Sequence, residues 1–150
     1  MANQWTAGTA SGQILTASKL NTIGAAWETY TPTLTQGVSV AKTVNYARYC
    51  QIQKTVIVQV MLTCTGAGLG GTISVSLPSG LAPLSISSTR TIGSFFIHDS
   101  TTALYVGSAM GSSPVTGYSY GSNNNMGANL PAMTLATNDQ VSITVEYEVA

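Results

Sequence analysis

The chain has 150 residues, five Lys+Arg against five Asp+Glu, one His and a formal net charge of zero. Only 7% of it is charged, against about 25% in ordinary globular domains, while 44% is apolar and Ser and Thr supply 38 residues, 21 of them Thr. That composition fits a single domain with a real core, and it excludes the basic field of a dedicated nucleic-acid binder and the acidic cluster of a calcium or magnesium site.

So few charges at zero net charge make a free monomer prone to association. Such a chain covers itself in hydroxyls and amides, or buries faces against partners. Assembly is the expectation here. The N-terminal MANQWTAGTASG has neither a basic n-region nor an apolar h-region, so a secretory leader is not predicted. The apolar run Val56 to Leu62 is far short of the roughly 20 residues that span a bilayer, so no membrane partner is expected.

Along the chain, the first dozen residues lack periodicity and read as an extended arm. Trp5 within it is either incidental or an anchor for docking into a groove. Thr16 then caps a short helical signal in which Leu15, Leu20 and Ile23 recur at near-helical spacing, with Gly24 close to its end. About two turns long, that helix needs a surface to pack on. Residues 1–26 are therefore set apart as an attachment and oligomerisation segment, with Trp5, Leu15, Leu20 and Ile23 as its contacts, and 27–150 as a β domain.

From Trp27 the pattern is that of strands. Val44, Tyr46, Arg48, Cys50 and Ile52 alternate with Asn45, Ala47, Tyr49 and Gln51, which predicts two faces. A turn near Gln53-Lys54 leads to Val56, Val58, Val60, Leu62 and Cys64, opposed by Ile57, Gln59, Met61 and Thr63. This strand is apolar on much of both faces, so it is expected at the centre of a sheet. Its outer residues Ile57, Gln59 and Met61 are then expected to meet another layer or subunit.

In such a hairpin Cys50 faces a residue near Ile57 and Cys64 lies well beyond, so two buried free thiols are predicted instead of a disulfide. Further strands are predicted at 72–77, 92–97 and 103–109, the last two around the turn His98 to Thr101. The Gly/Ser/Asn-rich stretch from Gly111 to Asn129 reads as a long surface loop or as irregular strands with wide turns. After an Asn138-Asp139 turn, Val141, Ile143, Val145, Tyr147 and Val149 form one face of a last strand, with Glu146 and Glu148 on its wet side. Seven to nine short strands with no long helix predict an all-β fold, an antiparallel β-sandwich of jelly-roll type.

Chemistry is sparse. His98 has no second His near it, and a metal site from Cys50, Cys64 and His98 is not expected. No Gly-x-Ser-x-Gly elbow accompanies the many serines. Glu146 and Glu148 share a strand face, which an exposed rim explains better than paired acid–base catalysis. Gly66, Gly68, Gly70 and Gly71 lack the Lys-Ser/Thr ending and following helix of a phosphate loop. No catalytic function, metal or cofactor is predicted. Tyr118 and Tyr120 with Asn123, Asn124 and Asn125 make a polar-aromatic neighbourhood. It is either loop decoration or a contact surface for a sugar or a protein.

Leu15-Thr16-Ala17-Ser18-Lys19-Leu20-Asn21, then Trp27-Glu28-Thr29-Tyr30-Thr31-Pro32-Thr33-Leu34-Thr35, then Tyr46 to Ile52, Lys54-Thr55-Val56 and Ser74-Val75-Ser76-Leu77-Pro78 occur in that order. Together they resemble a module of tailed-bacteriophage virion proteins, over residues 13 to 80. One departure is Gln53, where the module usually has a glycine before the lysine. The resemblance implies a virion surface role, commonly as a homotrimer, in capsid decoration, head fibres or tail fibres. The short chain with its initial Met just before the module suits a capsid decoration protein, held to the major capsid protein or another virion protein on the outside of the head. The alternative is a tail-fibre or tail-tip component contacting host glycan or protein. A carbohydrate-binding module is a third class.

Overall fold

The computed structural model describes residues 26–84, 90–111, 113–120 and 124–149. The expected arm and helix, with Trp5, Leu15, Leu20 and Ile23, lie outside them. The strands are β1 (Glu28–Thr29), β2 (Leu34–Gln36), β3 (Val38–Ser39), β4 (Lys42–Ile52), β5 (Thr55–Cys64), β6 (Ile73–Val75), β7 (Thr91–Asp99), β8 (Ala103–Met110), β9 (Val115–Ser119) and β10 (Gln140–Glu148). No helix occurs among the described residues. The all-β expectation therefore holds for them.

All ten strands belong to one antiparallel sheet, in the order β1-β4-β5-β10-β7-β8-β9-β6-β2-β3. The sequence reading expected two packed sheets; hydrogen bonding is instead continuous through a single curled sheet, a half-barrel. The curl follows from chain connectivity. β3 stands at one end of the order and β4 near the other, yet only Val40 and Ala41 separate them, a reach of about 11 Å at most. Val40 N donates to Leu34 O of β2 at 2.8 Å, and Ala41 O accepts Thr65 N at 2.8 Å, so the chain changes partners within two residues.

The core fills the inside of the curl. Val56, Val58, Val60, Leu62 and Cys64 alternate inward along β5, as their period of two predicts. Burying each such Val or Leu contributes about 1.5–3 kcal/mol. Across the core stand Phe95, Ile97, Ile73, Val75, Val115, Met126 and Leu135, all with 0% exposure. β5 lies between β4 and β10, the central place its two-faced apolarity predicts. β10 pairs with it over nine residues, from Gln140↔Thr63 to Glu148↔Thr55.

The face assignment of β4 needs one correction. Simple alternation puts Val44 on the face of Tyr46, Arg48, Cys50 and Ile52, but a bulge between Val44 and Tyr46 shifts the register. Val44 stands opposite inward Leu62, whereas Tyr46, Arg48 and Cys50 stand opposite outward Met61, Gln59 and Ile57. Asn45 is the extra residue, and its Oδ1 accepts Thr63 Oγ1 at 2.9 Å. The β4–β5 turn falls at Gln53-Lys54, with Gln53 at φ +54. The residue standing where the resembling module has glycine thus takes the backbone conformation glycine favours.

A buried carboxylate fixes the entry to β10. Asp139, 2% exposed, accepts Ser100 N at 3.0 Å and Ala136 N at 2.8 Å on its two oxygens. It ties the β7–β8 turn to the Ala136–Asp139 turn, in which Asn138 sits at φ +76.

Candidate functional site

The register of the central strands determines which side chains share the outer face. One line across five strands is Val106, Phe96, Ser142, Met61 and Tyr46. The next is Tyr118, Ser108, Ser94, Thr144, Gln59, Arg48 and Thr29, running from β9 to β1. A third is Glu146, Ile57 and Cys50. The predicted contact residues Ile57, Gln59 and Met61 thus stand together at the middle of this face, each half-buried. Around them Tyr46, Arg48, Thr144 and Glu146 on the same face are exposed.

Where β1 meets β4, the face carries an aromatic cluster that sequence reasoning missed. The Arg48 guanidinium lies 4.7 Å from the Trp27 ring centre and 5.8 Å from that of Tyr46. Its Nε and Nη2 both donate to Gln59 Oε1, at 3.2 and 2.8 Å. Trp27 is 41% exposed and Tyr46 45%. A guanidinium stacked between rings and held by an amide is oriented before any ligand arrives. The nearby Glu28 is already engaged, accepting Tyr49 OH at 2.7 Å.

The second predicted neighbourhood is partly assembled. Tyr118 joins the outer face opposite Ser108, and Tyr120 is 63% exposed. Asn124 O accepts Ser119 N at 3.1 Å, and Asn125 Nδ2 donates to Thr72 Oγ1 at 3.0 Å, so the Asn125 amide serves to tie its loop to the body. Asn123 lies outside the described residues. Beside this loop is an open, largely apolar pocket of about 300 Å³, walled by Leu104, Val106, Ser119, Met126, Leu130 and Pro131. No motif in the sequence marks it, because its wall comes from three separate segments.

Cys50 and Cys64 are both buried free thiols, as the hairpin geometry predicts, opposite Ile57 and Lys42 respectively. That places them about 25 Å apart along the hairpin. His98 pairs with Leu104 and Gln140 on the outer face, whereas Cys64 points inward. Among the described residues, no group of three His, Cys, Asp or Glu is placed to hold a metal ion. No helix among them is long and apolar enough to cross a membrane.

Burial pushes the Cys64 thiol up to about 11, with the Asp139 carboxylate adding to the rise and Lys42 opposing it. Burial likewise raises Cys50, Tyr30 and Tyr147. Tyr147 OH donates to Leu81 O at 2.8 Å and Tyr30 OH to Ser76 O at 3.2 Å. Each group is held neutral in the fold and ionises more readily in the unfolded chain. Their contribution is therefore complete below the unfolded values, 9.0 for Cys and 10.0 for Tyr, and is lost as pH rises toward the folded ones. The urea midpoint should fall as pH rises from about 9 to 11, with Cys64 alone contributing roughly 2–3 kcal/mol to the loss. Both thiols should stay silent toward an aromatic disulfide reagent at pH 8 and react on unfolding. A flat midpoint across that window would contradict the burial argument.

Comparison of the chain with protein-family models, with curated proteins and with solved structures finds no match in any of the three.

Proposed function

We propose that this protein is a structural component of a tailed-bacteriophage virion, a homotrimer that decorates or stabilises the outer surface of the capsid and carries no catalytic activity. The observation that carries this reading is the outer face around Ile57, Gln59 and Met61, apolar and hydroxylated, half-buried in the single chain and bordered by exposed Tyr46, Arg48, Thr144 and Glu146. Faces of this composition lose little on desolvation against another protein surface. The virion assignment itself rests on the sequence resemblance over residues 13 to 80. The same reading takes the curl as a jelly-roll-type sandwich, its halves β4-β5-β10-β7 and β8-β9-β6-β2 facing each other across the core.

Light scattering at micromolar concentration should give the mass of three chains; a compact monomer would defeat the reading. Residues 1–12 would be part of the attachment segment. Their deletion should abolish binding to capsids while the β signature in circular dichroism persists, and undiminished binding would remove that role. Cryo-EM of the native particle should place the protein on the capsomers.

The exposure of Tyr120, next in sequence to Ser119 of the open pocket, favours a second reading. In it the protein is a tail-fibre or tail-tip component that contacts host glycan through Tyr118, Tyr120, Asn124 and Asn125. Density at the tail in the same reconstruction, together with sugar bound at that pocket in a soaked crystal, would replace the first reading by this one.

A further inference from the structure

We propose that Arg48 forms a preorganised carboxylate-binding site whose occupant is Glu146 of a second copy of this chain. The inference rests on the self-assembly reading above and deepens it, by naming the contact that sets how the outer faces meet.

Three observations lead to it. First, Arg48 is oriented but meets no carboxylate among the described residues. Its rings and Gln59 fix its plane, Glu28 is taken by Tyr49, and the guanidinium is turned toward Gln59 and not toward Glu146 of the same chain. Glu146 stands opposite Ile57, level with Cys50, so it lies two strand spacings and two residues away from Arg48, roughly 12 Å. A guanidinium has five N–H groups in a fixed fork, and two of the five point at Gln59 Oε1. The remainder suit a carboxylate approaching from outside the sheet.

Second, the same face carries the complementary charge. Glu146 is exposed, on the far side of β5 from Arg48. Between them stand Gln59, Ile57 and Thr144, and beyond these Met61, Phe96, Ser94 and Ser142, none of which is charged. One cation and one anion on opposite flanks of an apolar and hydroxylated centre allow the Arg48 flank of one copy to meet the Glu146 flank of another. Around a symmetry axis each copy presents Arg48 to the Glu146 of the next. Glu148 is less suited, because it lies at the margin beside the Gln53-Lys54 turn, opposite Thr55.

Third, a charge pair here supplies what the rest of the face lacks. Hydroxyls and aliphatic groups associate with little preference for orientation. A bidentate ion pair at the rim penalises the wrong register by juxtaposing like charges.

The test is charge reversal with exchange, read as the dissociation constant of the multimer by sedimentation equilibrium. R48E and E146R should each weaken assembly at least tenfold, and the double variant R48E/E146R should return to within about threefold of the original protein. Circular dichroism and thermal midpoints monitor folding. If R48E disturbs the Trp27 stack, E146R, distant from that stack, carries the same reading. A multimer unaffected by either single change overturns this inference and leaves the self-assembly reading standing, whereas an original protein that is monomeric overturns both. Single losses without recovery in the double variant also overturn the pairing. Oligogalacturonate bound by a monomeric chain, and lost in R48E, would assign Arg48 to an acidic glycan and overturn it as well.

Discussion

Replacing Gln36 by Ala should lower the stability of this protein by about 3–5 kcal/mol, one of the largest losses expected from a single polar residue in it. Gln36 ends β2, is 0% exposed, and spends its amide completely. Nε2 donates to Met133 O at 2.7 Å and to Gly71 O at 3.2 Å, and Oε1 accepts Leu135 N at 2.8 Å. These contacts fasten two loops to the strand that brings the ends of the curled sheet together. Truncation removes all three hydrogen bonds, leaves the buried Leu135 N–H without its acceptor, and frees the part-buried carbonyls of Met133 and Gly71 from the strand. Each orphaned buried group costs about 1–3 kcal/mol, and the vacated volume adds a cavity term. Gln36→Glu should be worse than Gln36→Ala at neutral pH, because it aims a carboxylate at two carbonyl oxygens. Urea unfolding measures both, with the midpoint falling at nearly constant slope. Hydrogen exchange at the Leu135 amide should accelerate in each variant. A loss under about 1 kcal/mol for Gln36→Ala would mean that the loops are held by other contacts.

The residues that sequence reading placed correctly are those whose environment is set by local alternation. β5 and β10 follow period two over nine or more residues, and their inward and outward sets, including Ile57, Gln59 and Met61, are those the pattern predicts. Alternation fails where one residue is added. The Asn45 bulge reverses the phase of β4 before Tyr46, and this moves Val44 off the face that Tyr46 and Arg48 share with Gln59. Tyr46 and Arg48 share a face by alternation alone, but the Trp27–Arg48–Tyr46 stack was invisible in the sequence because Trp27 joins it only through the pairing of the two-residue β1 with β4.

Long-range polar contacts were equally hidden. Gln36 and Asp139 look like surface residues in Leu34-Thr35-Gln36 and Asn138-Asp139. Only the fold shows that one meets Leu135, 99 positions away, and the other Ser100. The choice between one sheet and two was out of reach for a related reason. Strand content is a local property, whereas the closure at Val40-Ala41 depends on which strands are neighbours. Tyr118 was singled out for its chemistry, but its place in line with Gln59 and Arg48 follows from the pairing Tyr118↔Ser108.

Gly93→Ala should cost more than about 4 kcal/mol and leave little folded protein at 37 °C, a larger effect than substitution at any polar position of the outer face. Gly93 lies in β7 opposite Val145 of β10, next to a register shift between Thr91 and Gly93. A methyl group added there would overlap Thr144 O and come within 2.7 Å of Val145 Cα. Both atoms are backbone of the central strand, so no rotamer change relieves the clash, and β7 and β10 must part. Ordinary overpacking costs about 1–3 kcal/mol because side chains move aside. Gly117→Ala supplies that comparison. Its methyl would meet Phe95 Cδ1 at 2.6 Å and Met126 Sδ at 3.0 Å, both in side chains that have some freedom to shift. Urea midpoints should therefore rank the original protein above Gly117→Ala and Gly117→Ala above Gly93→Ala; the reverse order for the two variants would show that β10 yields more easily than the core. The ranking also bears on the outer face, because the β7–β10 register that Gly93 permits is what sets Phe96 beside Ser142 and Ser94 beside Thr144. On the proposed self-assembly, a Gly93 variant rescued by stabilising changes elsewhere should fold and still assemble poorly, since the line from Val106 to Tyr46 would be broken at its middle.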